Sequence, residues 1–215
     1  MLNIILCIAA AVIVPYLLCS INTAIIVTKI KTGQDIRELG SGNAGLTNTL
    51  RTQGKIAALF VLLGDVAKGM LSVWAVRILM MVLGVNVDEY SWILYIAGIF
   101  GILGHIFPIY YHFKGGKGVL VTVSILFAIE WLPALILLGI FAVIVAVSRY
   151  VSLGSVIAAI LYPITVLIFG FVYNDPNGII DALCAAVIAF LIVFMHRGNI
   201  KRLREGTEKK LGQKA

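Results

Sequence analysis

Three short polar stretches interrupt an otherwise apolar chain, and their residue types are those that hold phosphate. The first runs Gly40-Ser41-Gly42-Asn43-Ala44-Gly45-Leu46-Thr47-Asn48 and closes at Arg51. The second is Phe113-Lys114-Gly115-Gly116-Lys117-Gly118, and the third is His196-Arg197-Gly198-Asn199-Ile200-Lys201-Arg202. Glycine-dense loops expose backbone N–H groups that, beside cations, form concave anion sites. In the first stretch Ser41, Asn43, Thr47 and Asn48 add side-chain donors, and Arg51 adds a planar fork suited to phosphate or carboxylate. In the third, His196 and Asn199 lie three apart, and a histidine near neutrality can act as general base or hydrogen-bond donor. His105, in Gly104-His105-Ile106-Phe107-Pro108, precedes Lys114 by nine residues and can line the same cavity or serve the packing of its own span.

Each stretch also has a plainer reading. Gly and Asn are common turn residues, lysines at a helix end can snorkel to head groups, and basic tails accompany cytoplasmic topology. Other chemistries lack their residues. The Gly-x4-Gly-Lys-Ser/Thr spacing of a nucleotide loop does not occur. None of the three histidines has an Asp five positions on, and no carboxylate pair flanks a polar stretch, which argues against a metal-dependent phosphotransferase. There is no Gly-x-Ser-x-Gly elbow. Cys7, Cys19 and Cys184 all lie in apolar runs without zinc or disulfide spacing.

The elements that must position these groups are membrane spans. The chain has 215 residues, is 61% hydrophobic and 13% charged, with mean hydropathy +1.05, a surface that water could not solvate. Apolar stretches run at 2–28, 56–84, 91–111, 119–131, 133–148, 154–173 and 178–195, the first read as a span and not a cleaved leader. The expectation is an all-α polytopic membrane protein of seven transmembrane helices, the fourth short, forming one integral-membrane domain over 1–215. Fifteen of the seventeen Lys and Arg fall between Lys29 and Lys55, at Lys114 and Lys117, at Arg149, or from Arg197 through Lys214, whereas the intervening turns carry Asp88, Glu89, Glu130 and Asp175. The positive-inside rule then puts the N-terminus outside and the C-terminus in the cytoplasm. The remaining bases, Lys68 and Arg77, lie in the second span. Lys68 shares a helix face with Asp65 and reads as an internal ion pair or a support for the cytoplasmic cations; Arg77 is placed to snorkel outward.

Together these motifs resemble the acyl-phosphate:glycerol-3-phosphate acyltransferases of bacteria, the PlsY family. The resemblance covers essentially the whole chain: Gly40-Ser41-Gly42-Asn43-x-Gly45-x-Thr47-Asn48-x-x-Arg51, Asp65-x-x-Lys68-Gly69, Gly104-His105-x-Phe107-Pro108, Phe113 to Gly118, Arg149 with Ser152, and His196-Arg197-x-Asn199-Ile200-x-Arg202 followed by Gly206-x-Glu208. Leu46 departs from the family's usual Ala, and Leu120 and Val121 alter the segment after the second loop. The resemblance implies attack of the sn-1 hydroxyl of glycerol 3-phosphate on the carbonyl of a fatty acyl phosphate, giving lysophosphatidate and phosphate, the first committed step of phospholipid synthesis. It implies no acyl-CoA or acyl carrier protein as direct donor, no metal or other cofactor, no nucleic acid, no obligate protein partner, and a site facing the cytoplasm from a bacterial inner membrane. Carried onto this sequence, it makes Ser41, His196 and Asn199 catalytic. Substrate contacts fall to Gly42, Asn43, Gly45, Thr47, Asn48, Arg51, His105, Lys114, Gly115, Gly116, Lys117, Gly118 and Arg149, with Asp65, Lys68 and Glu208 in support. The competing classes are a carrier of phosphorylated solutes and a non-catalytic lipid-binding subunit. Carriers place sites near the midplane and show internal repeats, and this chain shows neither.

Overall fold

The computed structural model describes residues 1–213; of the basic tail, Lys214 lies outside the described residues. Ten α-helices follow in order: α1 Leu2–Cys19, α2 Thr23–Thr32, α3 Leu46–Gln53, α4 Lys55–Val82, α5 Trp92–Ile106, α6 Val119–Ile129, α7 Trp131–Ser148, α8 Val151–Val172, α9 Gly178–Met195 and α10 Arg197–Arg204. Among the described residues there is no strand. Six stretches are long and apolar enough to cross a membrane, and α6 is a shorter apolar helix, as the sequence pattern predicts. Hydrocarbon offers backbone groups no partners, so helices are the natural spanning element here.

The first span is broken. Sequence reads one run over 2–28, but α1 stops at Cys19 and α2 starts at Thr23. Asn22 is the cause: its backbone is extended and its Oδ1 accepts the Ile25 N–H at 3.1 Å, capping α2. The break also leaves the Ile21 carbonyl free of helix bonding, and Lys68 Nζ donates to it at 2.8 Å.

α1 packs on α5 and α4, α4 on α6, and α7, α8 and α9 follow side by side, with α5 touching α9. Small residues set the closest approach, since between helices in lipid it is van der Waals fit that holds. Gly104 lies on the Tyr16 backbone, so a Cβ there would overlap the Tyr16 carbonyl. Gly101 faces Ile125 and Cys19, and Gly98 faces Ile125 and Ile188. The Gly98–Gly101–Gly104 stripe is therefore a packing seam.

At about 1.5 Å per residue, the eleven residues of α6 rise ~16 Å, well short of the ~30 Å hydrocarbon. Its last carbonyls end inside the protein. Arg77 on α4 donates through Nη2 to the Ala128 carbonyl at 3.1 Å and the Ile129 carbonyl at 3.2 Å. The expectation that Arg77 snorkels outward is corrected: it caps α6, with Trp74 beside its guanidinium. Pro133 sits in the first turn of α7, where its missing N–H costs nothing. A second apolar cluster of Ala24, Ile25, Ile36, Ala44 and Val61 ties the first polar stretch to α2 and α4.

Candidate active site

One cleft of about 770 Å³ gathers residues from all three polar stretches. The sequence reading takes the first stretch as loop, yet its second half is a helix. Gly45 is the extended N-cap of α3, and no side chain caps the amides that follow. Leu46, Thr47 and Asn48 line the cleft at this end, so their free N–H groups form a positive helix terminus on it. Thr49 and Thr52 bond back to the carbonyls of Gly45 and Asn48, and Arg51 lines the cleft further along α3. Ser41 and Asn43 face the same space. The Asn48 amide shapes the loop, its Oδ1 accepting the Ser41 N–H at 2.9 Å and its Nδ2 donating to the Leu39 carbonyl at 2.9 Å. Asn48 is thus chiefly scaffold, although it borders the cleft.

The second stretch is fixed by α5. His112 and Phe113 turn the chain in the left-handed region at φ 56 and 58, uncommon for non-glycine residues. The Gly115 and Gly116 N–H groups then donate to the Ile106 and His105 carbonyls at 3.0 and 3.2 Å. Those amides are engaged in the backbone bonds of the fold, and Gly115 and Gly116, expected to hold a phosphate, do not line the cleft. Lys114 is exposed and outside the cleft lining; its carbonyl and that of Tyr111 accept from Arg37 Nη1 at 3.1 and 2.9 Å. Both lysines of this loop are expected to meet the anion; three residues apart on a bent loop, only Lys117 lines the cleft. Lys117 donates to Asn199 Oδ1. Burial brings its ammonium down to about 8, helped by Arg202 and Arg51 and opposed by Glu208. Gly118, at φ +81, turns the chain into α6 and borders the cleft.

In the third stretch, His196 Nδ1 lies 2.7 Å from the Ile192 carbonyl. A carbonyl only accepts, so Nδ1 carries the proton and Nε2 the lone pair. Burial lowers this imidazole to about 4, which keeps it neutral near pH 7. Asn199 Nδ2 donates to Glu208 Oε1 at 2.6 Å, as does Ser152 Oγ at 2.6 Å, and Arg202 Nε donates to Oε2 at 2.7 Å. Burial opposes ionisation of Glu208, but these three donors outweigh it and hold the carboxyl below its usual value. Glu208 thereby sets which end of the Asn199 amide meets Lys117.

His105 and Asp65 border the cleft from α5 and α4. Lys68 pairs with Asp65 at 2.8 Å and does not line the cleft. Nor does Gly42, expected to contact substrate, whose N–H returns to the Leu39 carbonyl at 3.0 Å in a turn. Arg149, also expected to contact substrate, is exposed and outside the cleft lining, and its Nη2 donates to the Leu211 carbonyl at 3.0 Å. Sequence reading missed Arg37, which clips the second stretch to the first. It also placed Arg202 in the third stretch without giving it a site role, whereas Arg202 borders the cleft. The Gly206-x-Glu208 element after Arg202 was the available signal. Away from the polar end, Val119, Val123, Leu138, Phe141 and Ser155 belong both to the cleft and to an apolar groove running between α6, α7, α8 and α9 toward Tyr162. Among the described residues no group of three or more His, Cys, Asp or Glu side chains is arranged to hold a metal.

The family model for glycerol-3-phosphate acyltransferase matches residues 9–206. A glycerol-3-phosphate acyltransferase of Coxiella burnetii is 39% identical over 202 residues, covering 94% of this chain and 96% of that one. Its counterpart in Bordetella pertussis is 40% identical over 207 residues, covering 96% and 93%. The crystal structure of PlsY, an integral membrane glycerol 3-phosphate acyltransferase, superposes in its glycerol 3-phosphate form with a TM-score of 0.80 at 36% identity, over 95% of this chain and 96% of that one. The lysophosphatidic acid form gives 0.77 at 35% identity, over 95% of each chain.

Proposed function

The chain belongs to the glycerol-3-phosphate acyltransferase family, and on that premise we propose that it moves a fatty acyl group from an acyl phosphate to the sn-1 hydroxyl of glycerol 3-phosphate. The products are lysophosphatidate and inorganic phosphate, and the whole chain acts as one integral-membrane domain. The observation that carries this reading is the shape of the cleft: a cationic, amide-rich end with Arg51, Lys117 and the N-terminus of α3 opens directly into an apolar groove. A ligand with a phosphate head and a fatty chain matches that polarity, and a second small phosphate ester matches the remaining donors. The relatives crystallised with glycerol 3-phosphate and lysophosphatidic acid support the acceptor and the product.

An acyl phosphate is a mixed anhydride with a good leaving group, so positioning and charge neutralisation suffice without a covalent nucleophile. In this reading Arg51, Ser41, Asn43 and the α3 amides hold one phosphate, and Lys117 and Gly118 lie against the other. His196 Nε2 accepts the attacking hydroxyl's hydrogen bond, and Asn199 fixes Lys117. A ring held at about 4 orients the hydroxyl but is a weaker base than a phosphate monoester, whose second pKa is about 6. The proton therefore ends on a substrate phosphate oxygen. The cleft's two carboxylates, Asp65 and Glu208, are tied to Lys68 and Arg202, which supports a reaction without a metal. We place the cleft on the cytoplasmic side of a bacterial inner membrane, from the distribution of Lys and Arg.

Donor competition tests the proposal. Purified protein receives palmitoyl phosphate, palmitoyl-CoA or palmitoyl-loaded acyl carrier protein with radiolabelled glycerol 3-phosphate. Labelled lysophosphatidate from the first donor alone is the expected result, and transfer from the thioesters but not the acyl phosphate overturns it.

A further inference from the structure

Beneath the cleft, a cation from one span and a histidine from another meet in a closed network. Lys68 is 8% exposed and His105 3%. Lys68 Nζ has three neighbours: Asp65 Oδ1 at 2.8 Å, the Ile21 carbonyl at 2.8 Å and His105 Nδ1 at 3.1 Å. An ammonium has three N–H donors and no acceptor. The Asp65 oxygen and the Ile21 carbonyl accept two of these bonds, and the same Asp65 oxygen also accepts from the Thr23 hydroxyl at 3.0 Å. The third donor is directed at Nδ1, which must therefore carry the lone pair. An imidazolium would set Nδ1–H against Nζ–H, so the ring is neutral and its one proton is on Nε2.

His105 borders the cleft. Gly116 lies against Nε2, where a Cβ would overlap it, and the glycine leaves that edge of the ring open. Nε2 has no hydrogen-bond partner among the described residues, and it is not among the enclosed unsatisfied atoms. The two cleft histidines are thus held in opposite tautomers. His196 has its proton tied up by a carbonyl and shows a lone pair; His105 has its lone pair tied up by Lys68 and shows a proton.

We propose that Lys68 is a positioning residue that fixes His105 as the Nε2–H tautomer, so that His105 gives the cleft a hydrogen-bond donor for a substrate phosphate oxygen. This rests on the reading of the cleft as a glycerol 3-phosphate site. The cation behind Nδ1 polarises the ring and strengthens the Nε2–H donor, much as an outer partner tunes a metal-bound imidazole. A lysine serves here because it also neutralises Asp65.

The test uses full-length protein with 15N-labelled histidine in lipid nanodiscs, read by long-range proton–nitrogen correlation. The expected spectrum shows Nδ1 bare and Nε2 protonated, with the Nε2 signal moving when glycerol 3-phosphate is added without any acyl donor. Removing both charges together, Asp65→Leu with Lys68→Met, avoids stranding a buried carboxylate. That pair should give a tautomer mixture and raise the KM for glycerol 3-phosphate by about 10–100-fold, by analogy with the loss of an outer partner of a metal-bound imidazole, with a smaller change in kcat. His105→Gln, which keeps an amide N–H near Nε2, should bind glycerol 3-phosphate better than His105→Asn, whose amide lies near Nδ1. A protonated Nδ1 in the wild type overturns the proposal, as does an unchanged tautomer or KM in the pair variant. Tautomer and ligand shift need no acyl transfer, so protein that shows both but transfers nothing upholds this inference and places the failure with the acyl phosphate reading.

Discussion

Gly116→Ala is a one-carbon probe of the cleft. A Cβ at this position would overlap His105 Nε2 and crowd the Ala44 carbonyl. Neither neighbour can yield easily. The ring is held through Nδ1 by Lys68, which is itself bound to Asp65 and Ile21, and the Ala44 carbonyl also accepts from Asn22 Nδ2. The loop must therefore retreat by about 1 Å to restore van der Waals contact, stretching the Gly116 to His105 backbone bond and drawing Lys117 off Asn199. A misplacement of that size costs about 10²-fold in rate, or ~2.7 kcal/mol of transition-state stabilisation. Gly139→Ala is the matched control, because that helical glycine has nothing near its Cβ position and alanine there favours the helix by about 0.5–1 kcal/mol. The assay is kcat/KM for glycerol 3-phosphate at saturating palmitoyl phosphate, with Tm measured on the same preparations. Gly116→Ala within threefold of wild type would refute the tight apposition of loop and imidazole. A loss shared equally by Gly139→Ala would refute its location.

Three further outcomes follow from the geometry. Lys117 binds anions only while charged, and its ammonium titrates at about 8; kcat/KM for glycerol 3-phosphate should fall as pH rises through 8, and a flat profile to pH 9.5 would remove Lys117 from the site. Arg51→Ala should lower kcat/KM by about 10–100-fold, the loss of a charged hydrogen bond worth ~1.5–3 kcal/mol, whereas Lys114→Ala and Arg149→Ala, both outside the cleft, should each change it less than threefold. Arg77→Met uncaps α6 and should lower stability by about 1–3 kcal/mol while the folded enzyme keeps its specific activity; an unchanged Tm would refute the capping role.

Much of the architecture was legible because lipid imposes simple rules. Seven apolar stretches, the short fourth among them, can be read from hydropathy alone, and Asp65 and Lys68 at i,i+3 announce their pair. The break at Ser20–Asn22 was not legible as a change of composition, since the apolar run continues on both sides; only the capping tendency of Asn22 marks it. The helical half of the first stretch was hidden by the glycines before it, although Gly45 as a stop before Leu46–Gln53 was a usable signal. The choice of Lys117 over Lys114 depends on the left-handed turn at His112 and Phe113 and on carbonyls of α5, a tertiary matter that spacing does not encode. Arg77 shows the same limit: its capping partners lie 51 and 52 residues away.

The proposed function requires one cleft to transfer an acyl group between two phosphate-bearing substrates. Turnover by purified protein in a lipidic phase, with palmitoyl phosphate and glycerol 3-phosphate and with metals chelated, tests it most directly. Phosphate release should be matched one for one by lysophosphatidate, and both should be lost in Lys117→Ala and His196→Ala proteins that retain wild-type Tm. Well-folded protein that yields no lysophosphatidate, yet carries glycerol 3-phosphate saturably into vesicles, would contradict it and establish a transporter.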